Sequence, residues 1–129
     1  MYKLELINLE LIQETEEHIP DRVIWLKEKI LEEGTWKVPL LLEENSLAIM
    51  DGHHRFNVAK KLGLKRIPAI LLSYNSPHVN ITSWREDFTV NKEIILDYIK
   101  YKKKFPLKTT RHIISPYPEE ISIPINFLY

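Results

Sequence analysis

The chain reads as an α+β domain, with a few short strands making a small sheet and about three helices around it. Three observations predict this. Short apolar runs with turn residues between them, VPLLL at 38–42, SLAIM at 46–50 and RIPAILLSY at 66–74, have the length and composition of strands. Two stretches carry apolar residues at helical spacing and end on a glycine, in a chain with only three glycines. Finally, 129 residues can enclose one core but not two, so residues 1–129 are read as a single domain.

The elements follow in order. KLELINL alternates like a half-buried strand. From Pro20 to Glu33 the spacing turns helical, with Val23, Leu26 and Ile30 on one side. Pro20 suits the first helical position, where its missing N–H costs nothing, and Gly34 suits a left-handed stop. The runs at 38–42 and 46–50 flank the turn-prone EENS and pair, the second ending at Asp51. Phe56, Ala59 and Leu62 then mark a helix closed by Gly63, and RIPAILLSY is the strand after it. Residues 75–89 read as irregular. A third helix runs from Val90, with Ile94, Ile95, Tyr98 and Ile99 inward, until Phe105 and Pro106 end it. The segment 105–129, rich in proline and β-branched residues, is expected as an extended strap across the body.

Charge and composition exclude more than they assign. Eighteen basic residues balance eighteen acidic ones, so no overall field draws the chain to nucleic acid, and DNA binding is disfavoured. The distribution is uneven, because Lys100 to His112 carries six Lys or Arg and no acid, a region that would attract an anionic ligand. The absence of cysteine removes disulfides, thiolate chemistry and cysteine metal sites, and suits a reducing compartment. No stretch approaches the roughly 20 apolar residues of a membrane span. A cytoplasmic protein with no membrane partner is expected, and its oligomeric state is left open.

The stretch IMDGHHRFNVAKKLG, residues 49–63, carries the chemistry. A strand ending at Asp51, then Gly52, then a helix start leaves several backbone N–H groups unpaired at the positive end of a helix dipole, which attracts phosphate. Gly52 offers no Cβ to hold a phosphate oxygen away. His53, His54 and Arg55 add side-chain donors, the arginine as a planar fork. Two other readings exist. Asp51 could be a plain N-cap with the histidines solvated, or the histidines and aspartate could hold zinc. The first leaves HHR unexplained, and adjacent residues at a turn rarely converge on one ion. The Walker pattern GxxxxGK[ST] is absent.

The run IMDGHHRFNVAKKLGLKRIPAILLSY resembles the phosphate-binding segment of the ParB/sulfiredoxin superfamily, and DGHHR before a KLG helix end looks most like its free L-serine kinases. Two further stretches follow in the family's order, LELIQETEEHIPDRV before the first helix and LKTTRHIISP near the C-terminus, with ITSWRE a looser match between them. The resemblance implies a ParB/sulfiredoxin-like α+β fold with a small mixed sheet. It implies a kinase, a phosphotransferase making O-phosphoserine from free L-serine, with ADP or ATP as donor and Mg2+ as counter-ion. Glu16 takes the place of the general base, and Asp51 is a catalytic candidate that could contact magnesium or the histidines. Gly52, His53, His54 and Arg55 would hold the nucleotide phosphates. Trp84, Thr109, Thr110, Arg111 and His112 would line the amino-acid pocket.

Simpler roles exist for each. Glu16 stands in an acidic run with Glu14 and Glu17 ahead of a helix, where the dipole favours carboxylates, and Glu17 is the adjacent register. Trp84 could be a surface anchor, and TTRH an ordinary strand end. Trp25 and Trp36 read as packing residues, and His18 and His78 as solvated. Beside the kinase stands a ParB-like nucleotide-binding regulatory module without kinase activity, and more distantly a DNA-contacting protein using Lys100 to Arg111. Sulfiredoxin chemistry is excluded by the missing cysteine.

Overall fold

The computed structural model describes residues 2–129. Its centre is a four-stranded sheet made of β1 (Leu4–Asn8), β3 (Leu40–Glu43), β4 (Ile49–Asp51) and β5 (Arg66–Leu72), in the order β1-β5-β3-β4. The sheet is mixed: β5 runs antiparallel to β1 and parallel to β3, and β3 and β4 are antiparallel. The parallel pair needs a crossover, which is supplied by β4 and helix α2 (His53–Leu62).

Both faces of this sheet are covered, which explains why Leu40, Leu41 and Leu42 are all fully enclosed instead of alternating in and out. Leu40, Leu42, Ile49, Ile67 and Ala69 point to one side and pack with Val23 and Ile30 of α1 (Pro20–Glu33) and with Phe56 and Ala59 of α2. Leu41, Met50, Ile70 and Leu72 point to the other and meet Ile95 and Ile99 of helix α3 (Lys92–Lys100) together with Phe105. Tyr98 stacks flat on Phe105, with ring centroids 3.8 Å apart, and fixes the chain where α3 gives way to the tail.

The limits of α1 and α2 agree with the residues that predict them. Pro20 opens α1, and Gly34 closes it at φ +73° with its N–H on the Ile30 carbonyl. Helix α3 is shorter than expected: Asn91 caps it by accepting from the Ile94 N–H at 2.8 Å, and it stops at Lys100, because Lys102 at φ +52° turns the chain before Phe105 and Pro106 are reached. Two further expectations need correction. Residues 75–89 are not all irregular, since β6 (Val79–Ser83) lies within them and pairs antiparallel with β7 (Thr110–Ile114). The 105–129 segment does cross the body, but as β7, then β8 (Ile123–Pro124) paired to β2 (Thr35–Trp36), then a 3-10 turn at Ile125–Leu128. Val79 and Ile114 are buried on the α3 side, and this burial orders a stretch whose pairing partner lies some thirty residues away.

Candidate active site

Asp51 is the last residue of β4 and Gly52 turns the chain into α2. Gly52 has φ +112°, and a Cβ there would stand 2.3 Å from Leu40 Cδ2. A backbone angle that other residues rarely adopt and a contact with the core therefore give this glycine a structural reason of its own. No side chain caps the helix, and Phe56 is the first residue whose N–H reaches back, to the Gly52 carbonyl at 2.8 Å. Asp51 is thus not the N-cap. Its carboxylate accepts a hydrogen bond from the Tyr117 hydroxyl in the C-terminal segment.

The two histidines serve differently from a simple pair of phosphate donors. His53 Nε2 accepts from the Thr15 backbone N–H at 3.1 Å, and His54 Nε2 accepts from the Ile19 backbone N–H at 3.1 Å. A backbone N–H can only donate, so each ring carries its proton on Nδ1 and is neutral. Burial pushes His53 down to about 3, with the surrounding positive groups adding to the shift, and burial likewise lowers His54. Both rings clamp residues 15–19 onto the start of α2, and that clamp places the neighbouring Glu16.

Glu16 lies in an extended stretch held on both sides. Gln13 bonds to Leu47 and Ile49 next to β4, while the Thr15 carbonyl and Glu17 N–H pair with Phe105. One carboxylate oxygen of Glu16, Oε1, accepts from the Thr110 N–H at 2.8 Å, the Thr110 hydroxyl at 2.9 Å and the Thr109 N–H at 3.3 Å. Oε2 has no partner among the described residues. Desolvation raises the Glu16 pKa above the usual carboxylate value, against the lowering pull of these three donors. The result is an oriented carboxylate with a raised proton affinity and one free oxygen, which are the attributes of a general base.

The C-terminal motif splits its residues. Thr109 is fully buried and its hydroxyl donates to the Pro106 carbonyl, so its side chain holds the turn. Thr110 faces Glu16. The Arg111 guanidinium lies 4.4 Å from the centre of the exposed Trp84 ring. His112 Nε2 meets the Tyr74 hydroxyl at 2.9 Å, while its Nδ1 is enclosed without a partner. Burial takes His112 down to about 4, opposed by the attraction of Asp51.

These parts meet in a cleft of about 280 Å³. Glu16, Asp51, Gly52, His53, His54, Arg55, Trp84 and Thr110 all line it. Arg111 and His112 line a depression adjoining it, which shares Asp51, Trp84 and Thr110. Of the basic run at 100–111, only Lys108 lines the main cleft. Lys104 is turned to Glu14, whose carboxylate also receives Asn57 and Lys60. Glu17 lines the cleft beside Glu16. Arg22, Trp25 and Lys29, which the sequence reading did not place in the site, line it from α1. Trp25 is 60 % exposed and does not pack, contrary to expectation, whereas Trp36 is buried. Their 22/25/29 spacing is one helical stripe, legible in the sequence had the polar face of α1 been read as closely as the apolar one. His18, expected to be solvated, sits edge-on to His54 with its Nδ1 enclosed. Against the three acids Glu16, Glu17 and Asp51 the cleft sets four cations, Arg22, Lys29, Arg55 and Lys108, a balance that favours an anionic ligand.

The arrangement is an α+β fold built on a small mixed sheet. A solved free serine kinase in complex with AMP shares the fold, with a TM-score of 0.87 and 18% identity over 99% of this chain and 93% of that one. Among curated relatives, an ATP-dependent L-serine kinase of Staphylothermus marinus is 31% identical over 99 residues, 74% of this chain and 39% of its own. An ADP-dependent L-serine kinase of Thermococcus kodakarensis is 35% identical over 68 residues, 50% of this chain and 28% of its own. A ParB-like protein of Sulfolobus acidocaldarius is 41% identical over 56 residues, 43% of this chain and 28% of its own. The chain thus spans between a quarter and two-fifths of the length of these relatives. No family model matches it.

Proposed function

We propose that the protein is a free serine kinase, transferring the terminal phosphoryl group of ADP or ATP to the hydroxyl of L-serine to give O-phosphoserine. The observation that carries this reading is Glu16, a carboxylate with one oxygen pinned by Thr109 and Thr110 and the other free, in the same cleft as the uncapped start of α2.

In this reading Glu16 Oε2 takes the proton of the serine hydroxyl as its oxygen bonds to phosphorus. The bond from phosphorus to the bridging oxygen breaks, and AMP leaves if ADP is the donor, or ADP if ATP is. Backbone N–H groups at His53, His54 and Arg55, the Arg55 guanidinium and Lys108 hold the phosphate oxygens. Transfer of this kind needs chiefly positioning and charge stabilisation, which these groups supply. The depression beside Trp84 and Thr110, with Arg111 and His112, receives the amino acid. Magnesium would neutralise phosphate charge. The donor set suits an ion that arrives on the nucleotide, because one or two carboxylates plus phosphate oxygens satisfy Mg2+. Asp51 and Glu17 line the cleft, and no cluster of three or more metal-ligating side chains occurs among the described residues. A cytoplasmic setting fits these small-molecule substrates, and no helix among the described residues is long and apolar enough to cross a membrane.

The test is direct. Protein is incubated with L-serine, MgCl2 and either ADP or ATP, and O-phosphoserine is followed together with the nucleotide product. Stoichiometric phosphoserine with AMP or ADP supports the kinase. Nucleotide binding without phosphoserine supports the regulatory module instead.

A further inference from the structure

We propose that Trp25 is the platform on which the base of the bound nucleotide stacks. The inference rests on the kinase reading above and extends it to the recognition of the nucleoside, for which the α2 corner has no obvious group.

The cleft has a direction. On one side it opens into the depression that shares Asp51, Trp84 and Thr110 with it, next to Glu16. On the other it opens into a second depression of about 270 Å³, sharing Leu26, Lys29 and Arg55. A phosphate chain seated at Gly52–Arg55 with its terminal group toward Glu16 must send its nucleoside the opposite way, along α1.

What α1 presents there is Arg22, Trp25 and Lys29. Seven residues of helix rise about 10 Å, comparable with a diphosphate and its ribose. Arg22 and Lys29 supply charge for the phosphates, and Trp25 supplies a flat apolar surface between them. The ring is 60 % exposed, with the Lys29 ammonium 5.4 Å from its centre. The other two tryptophans are excluded by position. Trp36 is 1 % exposed with its N–H donated to the Val38 carbonyl at 2.8 Å. Trp84, though 58 % exposed, carries the Arg111 guanidinium on its ring and stands on the acceptor side. An indole standing exposed on the wall of a charged cleft is a poor packing residue and a good stacking one, because every base offers a π-face to it.

The experiment titrates AMP and inorganic pyrophosphate separately into the wild type, Trp25→Ala and Trp25→Phe by calorimetry. Pyrophosphate tests the phosphate half of the site without a base. Trp25→Ala is expected to weaken AMP by about 5- to 100-fold, the range typical of losing one base–aromatic stack. Pyrophosphate should change by less than about twofold, and Trp25→Phe should keep AMP within about threefold of the wild type, since a flat ring remains. The assignment is overturned if Trp25→Ala binds AMP as the wild type does, or if pyrophosphate is lost as strongly as AMP. Wild type that makes phosphoserine while Trp25→Ala keeps its AMP affinity sinks this inference alone, whereas wild type that binds no nucleotide sinks the kinase reading with it.

Discussion

The Asp51–Arg55 corner and the Thr109–His112 segment both look, in the sequence, like strings of ligand-binding side chains, and the structure divides their work in opposite ways. At the corner the side chains have structural work: His53 and His54 clamp residues 15–19 through Nε2, and Gly52 meets a backbone and packing demand, while the uncapped backbone N–H groups and Arg55 face the cleft. In the C-terminal segment the alternation of a strand sorts neighbours instead, sending Thr109 inward, Thr110 to Glu16, Arg111 over Trp84 and His112 toward Tyr74. A helix start offers its backbone to a ligand, while a strand end offers every second side chain.

This contrast can be broken at graded cost. Gly52→Ala should do the most damage, since it combines strain at φ +112° with an intrusion on Leu40. A loss of about 2–4 kcal/mol is expected in chemical denaturation, and with it nucleotide binding. An effect below about 0.5 kcal/mol would show that the corner is not held as described.

The clamp predicts a pH dependence with a definite sign. Unfolded histidines take up a proton below about 6.5, whereas His53 and His112 in the folded chain do so only near 3 and 4. The unfolded state therefore binds more protons throughout that window, and stability, full above pH 6.5, falls as the pH drops through it. His53→Gln should flatten the acid limb of an unfolding-midpoint curve, removing a dependence on the order of 2–3 kcal/mol by pH 4.5.

Arg55→Ala comes next. It should weaken AMP binding about 10- to 100-fold with little change in stability, because the role proposed for it is a charge-assisted bond to the ligand. Smallest is Tyr117→Phe, which removes one donor from Asp51 at a half-exposed position and should cost under about 1 kcal/mol in thermal unfolding.

How much of this was readable beforehand follows from where the information sits. The limits of α1 are local, set by Pro20 and Gly34, and so is the α2 corner, and both are legible. Strand β6 is not, although VNITS alternates, because its order comes from a partner at 110–114 and a core beneath it. Glu16 could be named from the motif it stands in, but its pinned and free oxygens depend on Thr109 and Thr110, more than ninety residues away in the chain. Trp25 lies off the buried stripe of α1 that Val23 and Ile30 mark, so apolar periodicity gives it no place.

Glu16→Gln is the substitution that separates holding from chemistry. Glutamine keeps an oxygen for Thr109 and Thr110 and removes a carboxylate whose charge is disfavoured by burial, so the unfolding midpoint at pH 7 should not fall. Phosphoserine formation should drop by at least about 100-fold while AMP affinity stays within about threefold of the wild type. Turnover that persists near the wild-type rate, or a variant that loses AMP binding and stability together with activity, would contradict a proton-accepting role for this carboxylate.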